Sequence, residues 1–180
     1  MREGRFIGRI GRFVLPQSTW SHYEEVGAFP RGLLVVGDAL CRLNPIYGQG
    51  MTLAAQQACI LRDLPAGRGG AGDPLADLGQ DLFRAIQPTV GGAWGISAVP
   101  DFAHPRTSGT RPPDLETDLR FGAGIQRLAA RDPDVHRLLL GVRQLLLPPS
   151  VLREPTLLRA VEMETGRAGP AAGRTTRQDG

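Results

Sequence analysis

The 180-residue chain reads as an α/β fragment, with one or two strands near its N-terminus followed by a mainly α-helical C-terminal layer. Three observations predict this. The run Leu33-Leu34-Val35-Val36 is apolar and bounded by Gly32 and Gly37, as a strand covered on both faces is. Beyond it, apolar residues recur at spacings of three and four in several segments, which is the period of a helix with one buried stripe. Between those segments stand Pro, Gly and Asp, the residues that stop and start helices.

Taken in order, Arg5 to Leu15 has strand-like composition without clean alternation, and Ser18 to Pro30 reads as extended. The Leu33–Val36 strand delivers Asp38 at its carboxyl end, where open α/β sheets bind ligands. Gly48-Gln49-Gly50 then opens a helix from Met51 to Leu64. The two glycines allow close backbone approach, and the helix start offers unpaired N–H groups. Residues 1–64 form a first region, and the glycine-rich stretch 65–74 a linker. Asp73-Pro74 predicts a helix start, Leu75, Leu78, Leu82 and Ile86 form its stripe, and Pro88 predicts its end. A long loop over 89–113 follows, in which Trp94 and Phe102 either anchor the loop or line an apolar pocket.

Asp114 predicts a cap for a helix from Leu115 to Ala130. Asp132-Pro133 repeats the device before Val135, Leu138, Leu139, Val142, Leu145 and Leu146. Pro148-Pro149 breaks that helix, and Ser150 is placed to cap a short one through Leu157, Leu158 and Val161. The helical region thus spans 75–163. The tail 164–180 has almost no large apolar side chain, a composition expected to be disordered.

The segment from Gly37 to Thr52 resembles the second FAD-binding motif of the flavin-dependent hydroxylases and epoxidases, the family of para-hydroxybenzoate hydroxylase and squalene epoxidase. In that pattern Gly-Asp is followed by a proline seven residues after the Asp and then by Gly-x-Gly-Met or Leu, and Gly37-Asp38, Pro45 and Gly48-Gln49-Gly50-Met51 stand in this register. Cys41, Asn44, Tyr47, Thr52 and Gln57 depart from the family's usual residues. Ser18 to Pro30, Trp94, Asp101 and Arg106-Thr107 also look like one bacterial branch of these oxidoreductases. The likeness runs roughly from Phe13 to Val161, and only Gly37 to Thr52 is specific enough to carry roles.

By that resemblance the strand would belong to an FAD-binding Rossmann-type sheet. Asp38 would accept a hydrogen bond from a ribityl hydroxyl of FAD, Pro45 would line the ring, and the backbone of Gly48, Gln49, Gly50, Met51 and Thr52 would meet its pyrimidine edge. A helix start stabilises negative charge at such an edge by ~0.3–1 kcal/mol, more when buried. The family's reaction uses NADH or NADPH as reductant and transfers one oxygen atom from O2 to an apolar phenol or alkene. Without the resemblance, a Gly-Asp pair is equally the cap of a turn. A dinucleotide fingerprint fails, because Leu53 holds the third glycine position and eleven residues separate Val36 from Gly48.

No G-x-G-x-x-G follows a strand anywhere in the chain, so the pyrophosphate half of the family's cofactor site is missing. This is expected of the C-terminal portion of a flavin monooxygenase, from a truncated gene, a misplaced start or a decayed copy. A helical interaction module without flavin is the alternative. No residue is singled out as catalytic, because oxygen chemistry belongs to the cofactor.

Composition excludes several other classes. All 21 basic residues are arginine, as in GC-rich bacterial coding, and the net charge is only +3 without a basic stripe, so no nucleic-acid partner is expected. No apolar run nears the ~20 residues that span a bilayer, and a cytoplasmic protein without membrane insertion is expected. Cys41 and Cys59 lack a C-x-x-C partner, and the three histidines lack ligand spacing, so no metal is expected. Both cysteines read as packing residues, with Cys59 buried in its helix. Substrate and oligomeric state are left open.

Overall fold

The computed structural model describes residues 8, 11, 15, 17–64, 73 and 75–167. It contains five helices and a small antiparallel pairing of β1 (Thr19–Trp20) with β2 (Cys41–Arg42), in which Trp20 sits opposite Cys41. The helices are α1 (Gly50–Asp63), α2 (Leu78–Asp101), α3 (Leu115–Ala129), α4 (Pro133–Arg143) and α5 (Pro155–Arg167). This mostly helical architecture is compatible with an α/β fragment, and no parallel sheet is present among the described residues. The strand-like stretch before residue 17 lies largely outside them, as do most of the 65–74 linker and the tail beyond Arg167.

Two apolar cores organise the chain. The first joins Leu40, Cys41 and Leu43 to Leu53 of α1 and to Leu82, Phe83, Ile86, Val90 and Ala93 of α2. Aromatic rings extend it: Phe29 meets Phe83 edge-on with centroids 4.8 Å apart, Tyr23 stacks on Phe83 at 5.6 Å, and Trp20 leans on Trp94 at 5.8 Å. Such pairs add ~0.5–1.5 kcal/mol each beyond burial. The second core gathers Ile125 and Ala129 of α3, Val135 of α4 and Val161 of α5. There α3 and α5 cross so closely that a methyl on Gly124 would meet Val161 Cγ1 and Thr165 Cγ2 at 2.7 Å.

The structure corrects the expected strand. Leu33 to Val36 is irregular, with Leu33 47% and Val36 40% exposed, while Leu34 and Val35 pack against the first core. Burial on both faces needs strand neighbours on either side, and the described residues supply none. Gly37 instead turns into a short 3-10 segment, Gly37–Ala39, with a left-handed φ of 63° that favours glycine.

Pro88 does not end its helix. α2 runs for 24 residues with Pro88 and Pro100 inside it, so 89–101 is helical and the loop shortens to 102–114. An interior proline costs ~3 kcal/mol. Ile86, Val90 and Ala93, on either side of it, are essentially fully buried, and each large apolar side chain gains ~1.5–3 kcal/mol by burial. Pro88 and Arg84, whose carbonyl loses its partner, are both exposed, so water can satisfy that carbonyl. Trp94 therefore lies on a helix and belongs to the first core, while Arg111 stacks over Phe102 at 5.2 Å.

Helix ends differ in smaller ways. The Asp132 carboxylate accepts from the amides of Asp134 at 2.8 Å and Val135 at 3.2 Å, as Asp132-Pro133 predicts. Asp114 makes no such bond, and Asp73 caps only a turn, accepting from Leu75 N at 3.0 Å, before α2 starts at Leu78. α4 stops at Arg143, with Leu145 left-handed at φ 58°, so Leu145 and Leu146 lie beyond it. Ser150 falls inside a 3-10 turn, Pro149–Arg153, and α5 extends to Arg167 rather than ending near Glu162. Cys59 is exposed, not buried, because it lies on the face of α1 away from Leu53 and Gln57.

Candidate functional site around the Gly37–Thr52 hairpin

The expected site residues gather around the start of α1. Asn44 accepts from Ile46 N at 3.2 Å and caps the 3-10 turn Pro45–Tyr47, and Gly48 closes it at φ 69°. The chain is then aimed directly into α1, whose first internal hydrogen bond runs from Leu53 N to Gln49 O at 2.9 Å. The amides of Gly50, Met51 and Thr52 precede that bond and have no helical partner, and no side chain caps this end.

Asp38 lies beside this opening. A methyl on Gly50 would stand 3.9 Å from Asp38 Oδ1, and the aspartate is exposed. Its carboxylate next to a helix start gains from the dipole, and as an acceptor it suits a hydroxyl-bearing ligand. Ile46 is 81% and Met51 87% exposed, and with Val36 they place apolar surface on the same segment. Burial, then the nearby Asp38 charge, push the Cys41 thiol up to about 11, and its side chain packs in the first core.

Besides the backbone role expected of it, Gln49 has a structural role through its side chain. Its side chain is buried, and Nε2 donates to the carbonyl of Arg143 at 2.8 Å, while Gln56 Nε2 donates to that of Leu145 at 2.7 Å. Both glutamines thus serve the carbonyl-rich end of α4. Gln57 is fully buried and accepts from Gly37 N at 2.6 Å, which fixes the turn that carries Asp38.

A second network fastens the other side. Tyr47 Oη donates to Asp101 Oδ1 at 2.8 Å, Asn44 Nδ2 reaches Asp101 Oδ2 at 3.4 Å, and Thr107 Oγ1 donates to the Asp101 carbonyl at 2.6 Å. Burial, then the bond to Asp101, push the Tyr47 phenol up to about 12. Tyr47, Asn44 and Gln57 are residues at which the family pattern is broken, and each has a structural partner here. A polar side chain in an otherwise Ala- and Leu-rich helix was the sequence signal for Gln56 and Gln57, and nothing in the local spacing pointed to Asp101 as the partner of Tyr47 and Asn44.

Elsewhere, His22, Glu24 and Glu25 bring ligand-type atoms within 4.8 Å of one another. The His22–Glu24 contact at 2.7 Å and a bond from Gln87 to Glu24 at 2.9 Å account for much of this exposed group. Among the described residues no helix is long and apolar enough to cross a membrane.

No protein-family profile matches the chain. Protein Rv3254 of Mycobacterium tuberculosis is 37% identical over 103 residues, which are 57% of this chain and 21% of that protein. The chain is thus similar to about a fifth of the length of a longer bacterial protein.

Proposed function

We propose that the chain is the flavin-facing, C-terminal part of an FAD-dependent monooxygenase, a hydroxylase or epoxidase. The observation that carries this reading is the position of Asp38 beside the uncapped start of α1. A hydroxyl of the ribityl chain would donate to Asp38, and the amides of Gly50 to Thr52 would meet the electron-rich edge of the ring. Pro45 and the exposed Ile46 and Met51 would cover its apolar face. Bound there, FAD would supply the redox chemistry, with NADH or NADPH as reductant and an apolar phenol or alkene as substrate. This chain would hold and orient the ring.

The exposed edge at Leu33 and Val36 supports the same reading. It would be completed by a Rossmann-type sheet from the remainder of a longer protein, and the likeness to one part of Protein Rv3254 is compatible with that. The test is a fluorescence titration of the chain with FAD, FMN and riboflavin. With the ribityl and ring contacts alone, all three bind weakly and alike, and Asp38→Ala removes the binding. FAD held much more tightly than riboflavin would show a pyrophosphate site and overturn the partial-site reading. No saturable quenching of any of the three would end the flavin assignment.

The self-contained core of α3, α4 and α5 favours a second reading, an interaction module that folds without flavin.

A further inference from the structure

A half-open cavity of about 470 Å³ lies between the C-terminal half of α2 and the layer of α3 and α4. Its volume is that of a small-molecule site. Aliphatic side chains dominate it, with Ile96 and Val99 on α2, Leu119 on α3, and Leu139 and Val142 on α4. Gly95 and Gly122 leave its floor low, since a methyl on either meets nothing within 4 Å.

Three charged side chains line it, Asp118, Arg143 and Arg153. Two neutralise each other: Arg153 Nη2 lies 3.1 Å from Asp118 Oδ1, and its guanidinium also covers the Phe121 ring at 4.5 Å. The third is free. Among the described residues no carboxylate lies within ion-pair distance of Arg143. The cleft therefore carries, on the exposed Arg143, one positive charge without a direct ion-pair partner, which acts on the Tyr47 phenol bonded to Asp101, and its one aromatic ring is already covered.

We infer that this cavity binds an aliphatic monocarboxylate, with the chain along Ile96, Leu119 and Val142 and the carboxylate on Arg143. Apolar burial supplies most of the affinity, and the arginine fork selects the acid head over a neutral one. This site adjoins the flavin-facing hairpin, since Gln49 donates to the Arg143 carbonyl at 2.8 Å, and the proposal does not rest on the flavin reading.

The probe is decanoate below its micelle concentration, with decanol as the neutral control, read by calorimetry on the full chain. Saturable binding of one decanoate per chain is expected, with decanol weaker by about tenfold, the scale of one charge-assisted hydrogen bond. Arg143→Gln should erase the difference between acid and alcohol, and Arg143→Lys should keep part of it. Gly122→Leu fills the cavity from a position with free space and should abolish binding while circular dichroism shows the same helicity. Gly95→Leu gives the same readout from the other wall. Unsaturable uptake, or binding undiminished in both leucine variants, overturns the assignment. So would a dimer, seen by sedimentation, that Gly122→Leu dissociates, because the cleft would then belong to a second copy. Flavin quenching should be unchanged in Gly122→Leu, so failure of one site is distinguishable from failure of the other.

Discussion

Tyr47 donates its phenolic hydrogen to Asp101 at 2.8 Å, so the turn that precedes α1 is fastened to the last residue of α2. Tyr47→Phe keeps the ring and removes the bond. A stability loss of about 1 kcal/mol is expected at neutral pH, the usual net value of one hydrogen bond. The loss should depend on pH in a defined direction. The folded phenol titrates at about 12, whereas an unfolded one titrates near 10. Between those values the folded chain binds more protons than the unfolded one, so the Tyr47 contribution is complete below about pH 10 and disappears as pH rises. Urea midpoints of the two proteins should converge over that interval, and a constant gap would show that the bond contributes nothing.

Gln57 makes a different kind of anchor, because it is fully buried and supplies the acceptor for Gly37 N at 2.6 Å. Gln57→Leu leaves that amide without a partner and should destabilise the chain by about 1–3 kcal/mol. Asp38→Ala, at an exposed position on the same turn, should change the thermal midpoint far less. Equal losses for the two would mean that Asp38 holds the turn as much as Gln57 does.

Gly124 and Gly122 are two residues apart on α3 and should respond oppositely to alanine. At Gly124 the new methyl would stand 2.7 Å from Val161 Cγ1, and at Gly122 it would meet nothing within 4 Å. Overpacking at the first site should cost about 1–3 kcal/mol, and the second should gain up to about 1 kcal/mol from helix propensity. Denaturation of the two variants side by side checks both signs.

Thiol labelling separates the cysteines. Cys59 is exposed and Cys41 is buried with its thiol raised to about 11. Iodoacetamide at about pH 8 should modify Cys59 alone in the folded chain, since the thiolate is the reacting form. Peptide mapping that finds Cys41 labelled at a similar rate would mean that the hairpin opens.

Much of the helical layer was legible in the sequence, because its signals are local. Asp132-Pro133 announces the start of α4 and the Gly48-Gln49-Gly50 run the start of α1, and both stand where those residues predict. The errors came where distant contacts override local preference. Pro88 reads as a stop until the burial of Ile86 and Val90 against the first core is known. Leu33–Val36 reads as a buried strand, but a strand is defined by neighbours that a single segment cannot reveal. The candidate hairpin was visible as a cluster of residues. Its fastenings were not, because Gln57–Gly37, Tyr47–Asp101 and Gln49–Arg143 each join positions far apart along the chain.

The two cores also imply an order of assembly. Ile125, Ala129 and Val135 lie close together in sequence on adjacent helices, so little chain entropy is lost in bringing those three together, while Val161 must return across α4 to reach them. The first core must close across the glycine-rich stretch 65–72 before Leu43 and Leu53 can meet Leu82 and Val90. Local contacts form fastest. The α3–α4 pair therefore condenses early, and the hairpin around Asp38 is fixed only when α2 docks against α1.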